Sequence, residues 1–581
     1  MHGGIAGTPK CARGRPALGA TRPAAVGRTT ARTEVIRPLS PSKTFTPAAV
    51  ALAVVVCATG AVMATTVRYN HDEEQYIAAA VLAAGHALYR DFIYFQTPLY
   101  PLLLSRVLWT APDGVYALAR WISGASFVLC CLLAAAVCAR ACGSRRAGAA
   151  AALLLCTTPV VQVAAGSARN DILPCFFLFA GLLAATVDLA RPPDASPAPP
   201  LAPARTGAWS SWSWSLCGLC LALAVSAKVS YAFAPAAAFV YLVWPRPGGT
   251  ARRTGPVLAY CAGCAAGALP MAYHFAASPG NFVYSVVGFH LTAPIDWYTR
   301  NHFANRLSVP YRFVYALKTL GKNPPALAAL VLAAWSAACL VRAHGWRAVP
   351  ATWGRGARGL IAFMLVASVP FGLLPNPPHP QYMLPVFALL VLFGACCLPD
   401  LHPPAWAAES RRRRVLLGLV ICLGAGLGVG RVAVRLPPFV HPPSWTTERV
   451  RQEALAIRAA LPAGSRGCVA TLSPIRVLGA GAAIYPELAS GPFFFRSGDL
   501  LPPDRVRALR GVSPSTLARM LDETPPVAVF VGYESGGRWR VNLDAELVAH
   551  AVSRGWHEVR PGAGDGRGRL FLNPGPSVPC G

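Results

Sequence analysis

Charged side chains are scarce in this chain of 581 residues, because Asp, Glu, Lys and Arg make up only 13% of it. Ordinary soluble domains carry about 25%, so a deficit along most of the chain excludes a water-soluble globular protein. Nucleotide signatures are missing as well. The chain has no GxxxxGK[ST] stretch, and its predicted cytoplasmic loops lack Asp-x-Asp, so we expect no cytosolic nucleotide-sugar site.

Acidic residues are the rarer charged kind, with 24 of them against 53 Lys and Arg. The excess does not indicate nucleic acid, because the cations cluster in short loops between apolar runs. The positive-inside rule describes such clusters in cytoplasmic loops, so we expect membrane lipids and no nucleic acid as partners. The cations of the five predicted inside loops are Arg140, Arg145, Arg146, Arg191, Arg205, Arg246, Arg252, Arg253, Arg342, Arg347, Arg355, Arg358 and Arg411–Arg414.

Apolar runs long enough to span a bilayer, about 20 residues each, recur through residues 47–433. With the N-terminus inside, we predict about eleven transmembrane helices. The fold class is therefore an α-helical polytopic membrane protein with a small C-terminal extracytoplasmic α/β domain. The predicted spans are 47–66, 114–138, 149–165, 172–189, 212–226, 231–244, 255–275, 324–341, 359–375, 382–398 and 415–433.

Composition divides the chain into three parts. Residues 1–46 hold eight cations and one acid and are predicted to be a disordered basic cytoplasmic tail. Residues 47–433 form the membrane domain, whose outside loops at about 67–113 and 276–323 mix aromatic and ionisable residues. Such loops are typical of helices that lie along a membrane surface. Residues 434–581 are predicted to be the α/β domain, with strands at 467–472 and 527–532 and helices at 446–461 and 513–521.

Only two of the 18 cysteines, Cys468 and Cys580, lie in the polar C-terminal region. They can form a disulfide if that region is extracytoplasmic. Free thiols are the alternative, and the sequence leaves both open.

The first outside loop carries the strongest chemical signal, an acidic cluster at the start of a predicted helix. Asn70 can cap a helix that begins near Asp72. Asp72 then shares a face with Tyr76, whereas Glu73 points about 100° away. We expect one carboxylate, Asp72, to face a site, with Glu73 or Glu74 turned toward loop or solvent. Helix-capping acids would explain one or two of these residues without any catalysis.

This loop resembles the GT-C glycosyltransferases, especially the bacterial branch similar to protein O-mannosyltransferases and aminoarabinose transferases. Many relatives have Lys-Pro-Pro where this chain has Gln96–Thr97–Pro98, which leaves no lysine to carry over. The residues that carry the resemblance are Asp72–Glu73, Gly85, Tyr89–Phe92 and Pro98–Leu99, followed more weakly by Ser167–Asp171, Lys228 and His379–Pro385.

The resemblance implies transfer of a sugar, with inversion, from a polyprenyl-phosphate donor to an acceptor glycan, lipid or protein. A phosphate leaves as a stable anion, so one general base suffices; Asp72 is our candidate and Glu73 the reserve. Tyr76, Asp171 and Tyr382 are expected to bind acceptor or substrate. The candidates for binding the donor phosphate are Arg169, Lys228, Arg300 and His379. For each of these four, an interfacial cation that reaches lipid headgroups is the alternative.

No cofactor is certain. A divalent cation held by Asp72 and Asp171 is one alternative, and direct binding of sugar hydroxyls by both carboxylates is the other. We expect the chain in a bacterial plasma (inner) membrane, with the N-terminus cytoplasmic and residues 434–581 extracytoplasmic. A transporter or flippase for lipid-linked sugars is the alternative function, although the spans hold few charges near their centres. A non-enzymatic binding subunit is the second alternative.

Overall fold

The structure is a computed structural model that describes residues 46–108, 110, 114–189, 206–244, 254–401, 410–536, 541–562 and 566–579. The predicted cytoplasmic tail lies outside the described residues, apart from Thr46. Residues 42–581 form one compact unit.

Eighteen helices build the N-terminal, apolar part of the described chain. They are α1 (Pro47–Thr66), α2 (Glu73–Leu82), α3 (Leu99–Leu108), α4 (Val115–Cys142), α5 (Arg145–Thr157), α6 (Pro159–Ala165), α7 (Ile172–Leu189), α8 (Thr206–Ala227), α9 (Phe233–Val243), α10 (Thr254–Ala277), α11 (Pro279–Val283), α12 (Phe289–Arg300), α13 (Val309–Gly321), α14 (Pro324–His344), α15 (Ala348–Trp353), α16 (Gly356–Leu373), α17 (Leu384–Cys396) and α18 (Ser410–Ala433).

Seven helices of the described residues are long and apolar enough to cross a membrane: α1, α4, α7, α10, α14, α16 and most of α18. An eighth span results if α5 and α6, which meet at a bend of 70°, are counted together. The apolar stretches of the remaining predicted spans, Ser211–Ala227, Val229–Val243 and Pro380–Cys396, are shorter. The polytopic helical fold is thus confirmed, and the count of eleven spans stays a prediction.

The bend between α5 and α6 has a local cause in the sequence. Pro159 has no backbone N–H to donate and cannot continue the helix before it. Asn323 accepts the N–H of Val160 at 3.0 Å, and the side chain of Gln162 donates to the carbonyl of Cys156 at 3.1 Å. Backbone groups that the break leaves free therefore find partners inside the protein, as they must within a membrane.

Small residues bring the longest helices into contact. A Cβ on Gly263 of α10 would lie only 1.9 Å from the carbonyl oxygen of Ser215 on α8. Glycine therefore allows the two backbones to approach closely, which is a usual way for helices to pack in a membrane.

The two long loops are helical, as the sequence predicted. The first contains α2 and α3, and the second contains α11, α12 and α13. α13 exposes Val309, Phe313 and Leu317, which suits a helix lying in a lipid interface.

The C-terminal region contains the predicted α/β elements. A four-stranded sheet has the order β1-β2-β6-β5, in which only β1 and β2 are parallel, and β3 pairs with β4 separately. The elements are α19 (Leu436–Phe439), α20 (Thr446–Ala460), β1 (Val469–Thr471), α21 (Pro474–Gly479), α22 (Pro492–Phe495), α23 (Pro503–Ala508), α24 (Pro514–Glu523), β2 (Ala528–Val531), β3 (Ser535–Gly536), β4 (Val541–Asn542), α25 (Ala545–Ser553), β5 (His557–Val559) and β6 (Arg569–Leu572).

One hydrophobic cluster joins the first loop to this sheet. It includes Ile77 of α2, Tyr100 of α3, Ile475 of α21 and Phe530 of β2. The C-terminal region is therefore packed on the loop that carries the acidic cluster, rather than connected to it only by the chain.

Candidate active site

Three consecutive acids at the start of α2 point to three different places. Asp72 is partly exposed, with 23% of its side chain accessible, and lines a cavity. Its carboxylate makes no helix-capping hydrogen bond, so capping does not account for this residue. Gln75 and Tyr76 line the same cavity, which confirms the predicted shared face.

Glu73 is fully buried and does not line the cavity. Arg120 of α4 donates to both of its carboxylate oxygens, at 2.7 and 2.9 Å. The backbone N–H groups of Asn70 and Ala168 also donate to it, at 3.0 and 2.6 Å. Glu73 thus joins the turn that presents Asp72 to the loop after α6, and its partners leave no access to a substrate.

Glu74 is equally buried, and it faces the C-terminal region. It accepts hydrogen bonds from the hydroxyl of Tyr69, from the backbone N–H of Ile475 at 2.6 Å and from Arg476 at 3.3 Å. Of the two surroundings expected for Glu73 or Glu74, loop or solvent, solvent is wrong for both, whereas Glu73 does face the loop between α6 and α7. Both carboxylates are structural and hold other segments around Asp72.

The loop between α6 and α7 supplies the next charged groups. Arg169 pairs with Asp72, with its Nη1 2.8 Å from Oδ2, and with Asp171, with its Nε 3.0 Å from Oδ2. The loop can approach α1 closely because Gly166 has no side chain. A Cβ at this position would lie only 2.2 Å from a methyl carbon of Val67. A larger residue at position 166 would push Arg169 away from Asp72.

Lys228 follows α8 and completes an alternating row of charges. Its Nζ pairs with Asp171 and lies 5.6 Å from the ring centroid of Tyr382. We call Asp72, Arg169, Asp171 and Lys228 the charged rim. Each of the four lies next to a helix end, and three distant parts of the sequence thereby meet at one end of the bundle. Asp171 itself is 3% exposed and does not line the cavity, so it orients the two cations.

The cavity has a volume of about 810 Å³ and combines a charged side with an apolar one. Tyr382 and His379 line it together with Arg169 and Lys228. The apolar side includes Phe289, Leu291, Ile295 and Leu374. Leu291 and Leu374 are also 65% and 63% exposed, so the apolar side extends outward at the mouth.

Two predicted phosphate ligands do not behave as expected. Arg300 is absent from the cavity lining; its side chain is 57% exposed and pairs with Asp296 on the same helix, at 2.8 Å. His379 does line the cavity, but burial lowers its pKa to about 4, although Asp72 opposes the shift. At neutral pH it is therefore an uncharged hydrogen-bonding group and not a fixed cation.

The electrostatics keep Asp72 ionised. Burial alone would raise its pKa, but the positive charge of Arg169 and the hydrogen bond with His71 together hold that pKa well below its usual range. His71 Nε2 lies 3.2 Å from Oδ1 of Asp72. Asp171 likewise has a lowered pKa: burial opposes the shift, and Arg169 and Lys228 outweigh it.

A divalent cation has little to bind here as the side chains lie. The carboxylate oxygens of Asp72 and Asp171 already have partners in His71, Arg169 and Lys228. The described residues contain no group of three or more His, Cys, Asp or Glu side chains suited to a metal ion. This donor set does not fit a divalent cation.

Residues of the C-terminal region also line the cavity, and the sequence analysis did not identify them. We call Phe493, Arg496, Tyr533 and Glu534 the C-terminal wall. Glu534 Oε2 lies 4.0 Å from Nδ1 of His71, and burial raises the pKa of Glu534 to about 7. The one signal in the sequence was an arginine directly after three phenylalanines, Phe493–Phe495.

The Tyr89–Phe92 motif has a structural role. Tyr89 is fully buried with φ at 65°, a strained conformation for a bulky residue. Its hydroxyl donates to the carbonyl of Gln96 at 2.5 Å, and Arg90 pairs with Asp91. Gln96 lines the cavity, so the motif holds the loop that forms part of the cavity lining.

Comparisons with known proteins agree with this architecture. No protein-family model and no curated protein matches the chain. The structure of ArnT from Cupriavidus metallidurans bound to undecaprenyl phosphate is similar, with a TM-score of 0.55 and 15% identity, over 90% of this chain and 96% of that one. The apo form of the same protein gives a TM-score of 0.56, with the same identity and coverage.

The archaeal oligosaccharyltransferase AglB from Archaeoglobus fulgidus, in complex with an inhibitory peptide and a dolichol-phosphate, matches more loosely. Its TM-score is 0.47 at 14% identity, over 87% of this chain and 70% of that one. The chain is thus a multi-pass membrane protein with a fold similar to that of ArnT, as the resemblance of its first loop predicted.

Proposed function

We propose that this protein is a membrane glycosyltransferase that moves a sugar from a polyprenyl-phosphate donor to an acceptor glycan, lipid or protein. One observation carries the proposal: the carboxylate of Asp72 and an exposed apolar mouth line the same cavity. A lipid-linked sugar needs both, because its tail stays in hydrocarbon while its reacting carbon lies just outside. The similar fold of ArnT, which was solved with undecaprenyl phosphate bound, supports this choice of donor class.

The mouth of the cavity suits an isoprenoid chain. Leu291 and Leu374 lie on different segments, α12 and the stretch after α16, and both expose most of their side chains. Exposed leucines at the edge of a cavity favour an apolar ligand or the bilayer itself. The head group would occupy the charged side, and the remaining lipid would continue into the membrane.

Asp72 has the position that a general base requires. In the reaction, the acceptor hydroxyl attacks the anomeric carbon, the bond from that carbon to the phosphate oxygen breaks, and the phosphate leaves as an anion. Asp72 accepts the hydroxyl proton. Its low pKa makes it a weak base, but proton loss is late when the transition state resembles an oxocarbenium ion. Its negative charge also stabilises that cationic transition state.

The rest of the charged rim would orient this chemistry. Arg169 holds Asp72 at one oxygen, and Asp171 holds Arg169 and Lys228 in turn. We assign Asp171 a positioning role, because it does not line the cavity. Tyr76 and Tyr382 line the cavity and are our candidates for hydrogen bonds to sugar or acceptor hydroxyls.

We further propose that the site lies on the extracytoplasmic side of a bacterial plasma membrane, with the N-terminus cytoplasmic. The basic inside loops support this orientation through the positive-inside rule. Cys468 supports it independently, because it is disulfide-bonded and disulfides persist in oxidising compartments. Its predicted partner, Cys580, lies outside the described residues.

The test is donor consumption by the purified, full-length Asp72→Asn variant. Wild-type protein is mixed with membranes as acceptor source and with a panel of undecaprenyl-phosphate hexoses and pentoses, and released undecaprenyl phosphate is measured. We expect the substitution to reduce release by about 10²–10⁴-fold in protein that stays folded, because Arg169 keeps Asp171 as a partner. Asp296→Asn, which changes a partly exposed acid outside the cavity, is the matched control.

Near-normal release by Asp72→Asn would contradict the mechanism. The alternative function, a flippase, predicts a different result. The protein would then move the intact donor across a vesicle membrane without cleaving it, and Asp72→Asn would do so equally well.

A further inference from the structure

Not every charge around the cavity is paired, and a cation without an ionic partner among the described residues lies in the C-terminal wall. On the charged rim, each cation already has a carboxylate partner: Arg169 has Asp72 and Asp171, and Lys228 has Asp171. His379 is uncharged at neutral pH. Arg496 differs from these, because in the described part of the chain its guanidinium forms no ion pair and no hydrogen bond.

Arg496 is held in place by aromatic rings. Its guanidinium carbon lies 5.0 Å from the ring centroid of Trp297 and 5.2 Å from that of Phe493. Trp297 belongs to α12, which also forms the apolar side of the cavity. Ring faces attract a cation and restrict its movement, but they do not neutralise its charge. The guanidinium is therefore oriented at the cavity with its hydrogen-bond donors still available.

An unpaired cation in a half-buried place is costly unless something compensates for it. Burial lowers the pKa of Arg496, although the charges of Asp72 and Glu534 act in the opposite direction. Neither carboxylate lies within ion-pair distance of it. The missing partner is therefore an anion that enters the cavity. Its chemistry follows from the donors, since a planar guanidinium matches the oxygens of a phosphate and binds two of them at once.

We infer that Arg496 binds the phosphate of the polyprenyl carrier, so that the C-terminal wall supplies the charge that the charged rim has already neutralised. This inference rests on the proposed function and goes beyond it by assigning the phosphate subsite to a particular side chain. It also replaces Arg300, the sequence-based candidate that lies on α12 with Trp297 but is exposed and paired outside the cavity.

Binding of undecaprenyl phosphate to the full-length protein in detergent tests the assignment. Trp297 lines the cavity, so tryptophan fluorescence can report the titration. We expect Arg496→Gln to weaken undecaprenyl phosphate binding at least about tenfold while changing undecaprenol binding less than about twofold. Arg496→Lys should recover part of the loss, because it restores the charge without the bidentate geometry. Arg519→Gln, on the exposed face of α24, is the control.

Two other ligands separate the sources of a phosphate. Phosphatidylglycerol, added as a competitor of undecaprenyl phosphate, tests a membrane headgroup, and Arg496→Gln should leave its binding unchanged. Inorganic phosphate tests a free anion, and any binding of it in the cavity should weaken in Arg496→Gln, because it would use the same guanidinium. Equal loss of undecaprenol and undecaprenyl phosphate binding would overturn the inference, since Arg496 would then not distinguish a ligand with a phosphate from one without it. Equal loss of phosphatidylglycerol binding would overturn it in favour of a headgroup site.

The same titration separates this inference from the proposed function. If wild-type protein binds undecaprenyl phosphate no more tightly than undecaprenol, the donor class is wrong and both proposals fall. If wild-type protein prefers the phosphate and Arg496→Gln keeps that preference, only the role of Arg496 is wrong.

Discussion

The charged rim and the C-terminal wall face the same cavity, but the charged groups of the rim are paired with one another and those of the wall are not. Along the rim, Asp72, Arg169, Asp171 and Lys228 alternate in sign and pair with their neighbours. On the wall, Arg496 has no ionic partner among the described residues, and Glu534 has only His71 at 4.0 Å. The rim is thus organised before substrate arrives, whereas the wall has interactions left to make.

This difference assigns separate tasks to the two regions. Groups whose interactions are already satisfied are preorganised, which favours stabilising a transition state at little cost in rearrangement. Groups without partners gain most from binding a ligand. We therefore place the chemistry on the rim and much of the recognition of the phosphate on the wall. Substitutions in the rim should then mainly lower the rate of transfer, and substitutions in the wall should mainly weaken binding of the phosphate.

The largest expected effect lies behind the rim, at Glu73. Glu73→Gln leaves the guanidinium of Arg120 buried without a countercharge, and breaking such a pair costs about 3–5 kcal/mol. Chemical unfolding in detergent should show this loss for Glu73→Gln and a smaller loss for Asp72→Asn, because Arg169 keeps Asp171 as a partner. An unchanged unfolding curve for Glu73→Gln would mean that the rim does not depend on this buried pair.

A smaller effect should appear in the pH dependence of Arg169→Gln. Removing the positive charge lets burial raise the pKa of Asp72, and transfer requires the ionised form. As the solution is acidified, the activity of the variant should therefore begin to fall at a higher pH than the activity of the wild-type protein. Rates of undecaprenyl phosphate release between about pH 5 and 8.5 measure the shift.

Arg169→Lys is the matched control for that profile, because it keeps the charge and should keep the acidic limb close to that of the wild type. If the profiles of Arg169→Gln and wild-type protein superimpose, Arg169 does not control the ionisation of Asp72, and the pairing along the rim has no catalytic meaning.

The sequence predicted the features that depend on local pattern. Hydropathy located helices at all eleven predicted spans, because a lipid-facing helix must be apolar over most of its length. Helical spacing placed Asp72 and Tyr76 on one face and separated Glu73 from them. The strands β1 and β2 of the C-terminal region were predicted from short apolar runs.

What escaped prediction depends on contacts between distant residues. Arg120 lies 47 positions after Glu73 and within an apolar helix, so no local sequence pattern predicts the pair. Arg496 and Glu534 reach the cavity only because the C-terminal region packs on the first loop. Arg300 and His379 were predicted from their positions near helix ends. Arg300 is exposed and lies outside the cavity, and burial lowers the pKa of His379, so that it carries no charge at neutral pH.

The central claim is that a carrier-borne sugar reaches Asp72 inside this cavity. Cryo-electron microscopy of the wild-type protein with an undecaprenyl-phosphate sugar whose transfer is blocked would test it most directly. We expect the sugar beside the Asp72 carboxylate, the phosphate toward Arg496 and the lipid leaving past Leu291 and Leu374. Density for the lipid elsewhere on the membrane-facing surface, with the cavity holding only solvent, would contradict the account.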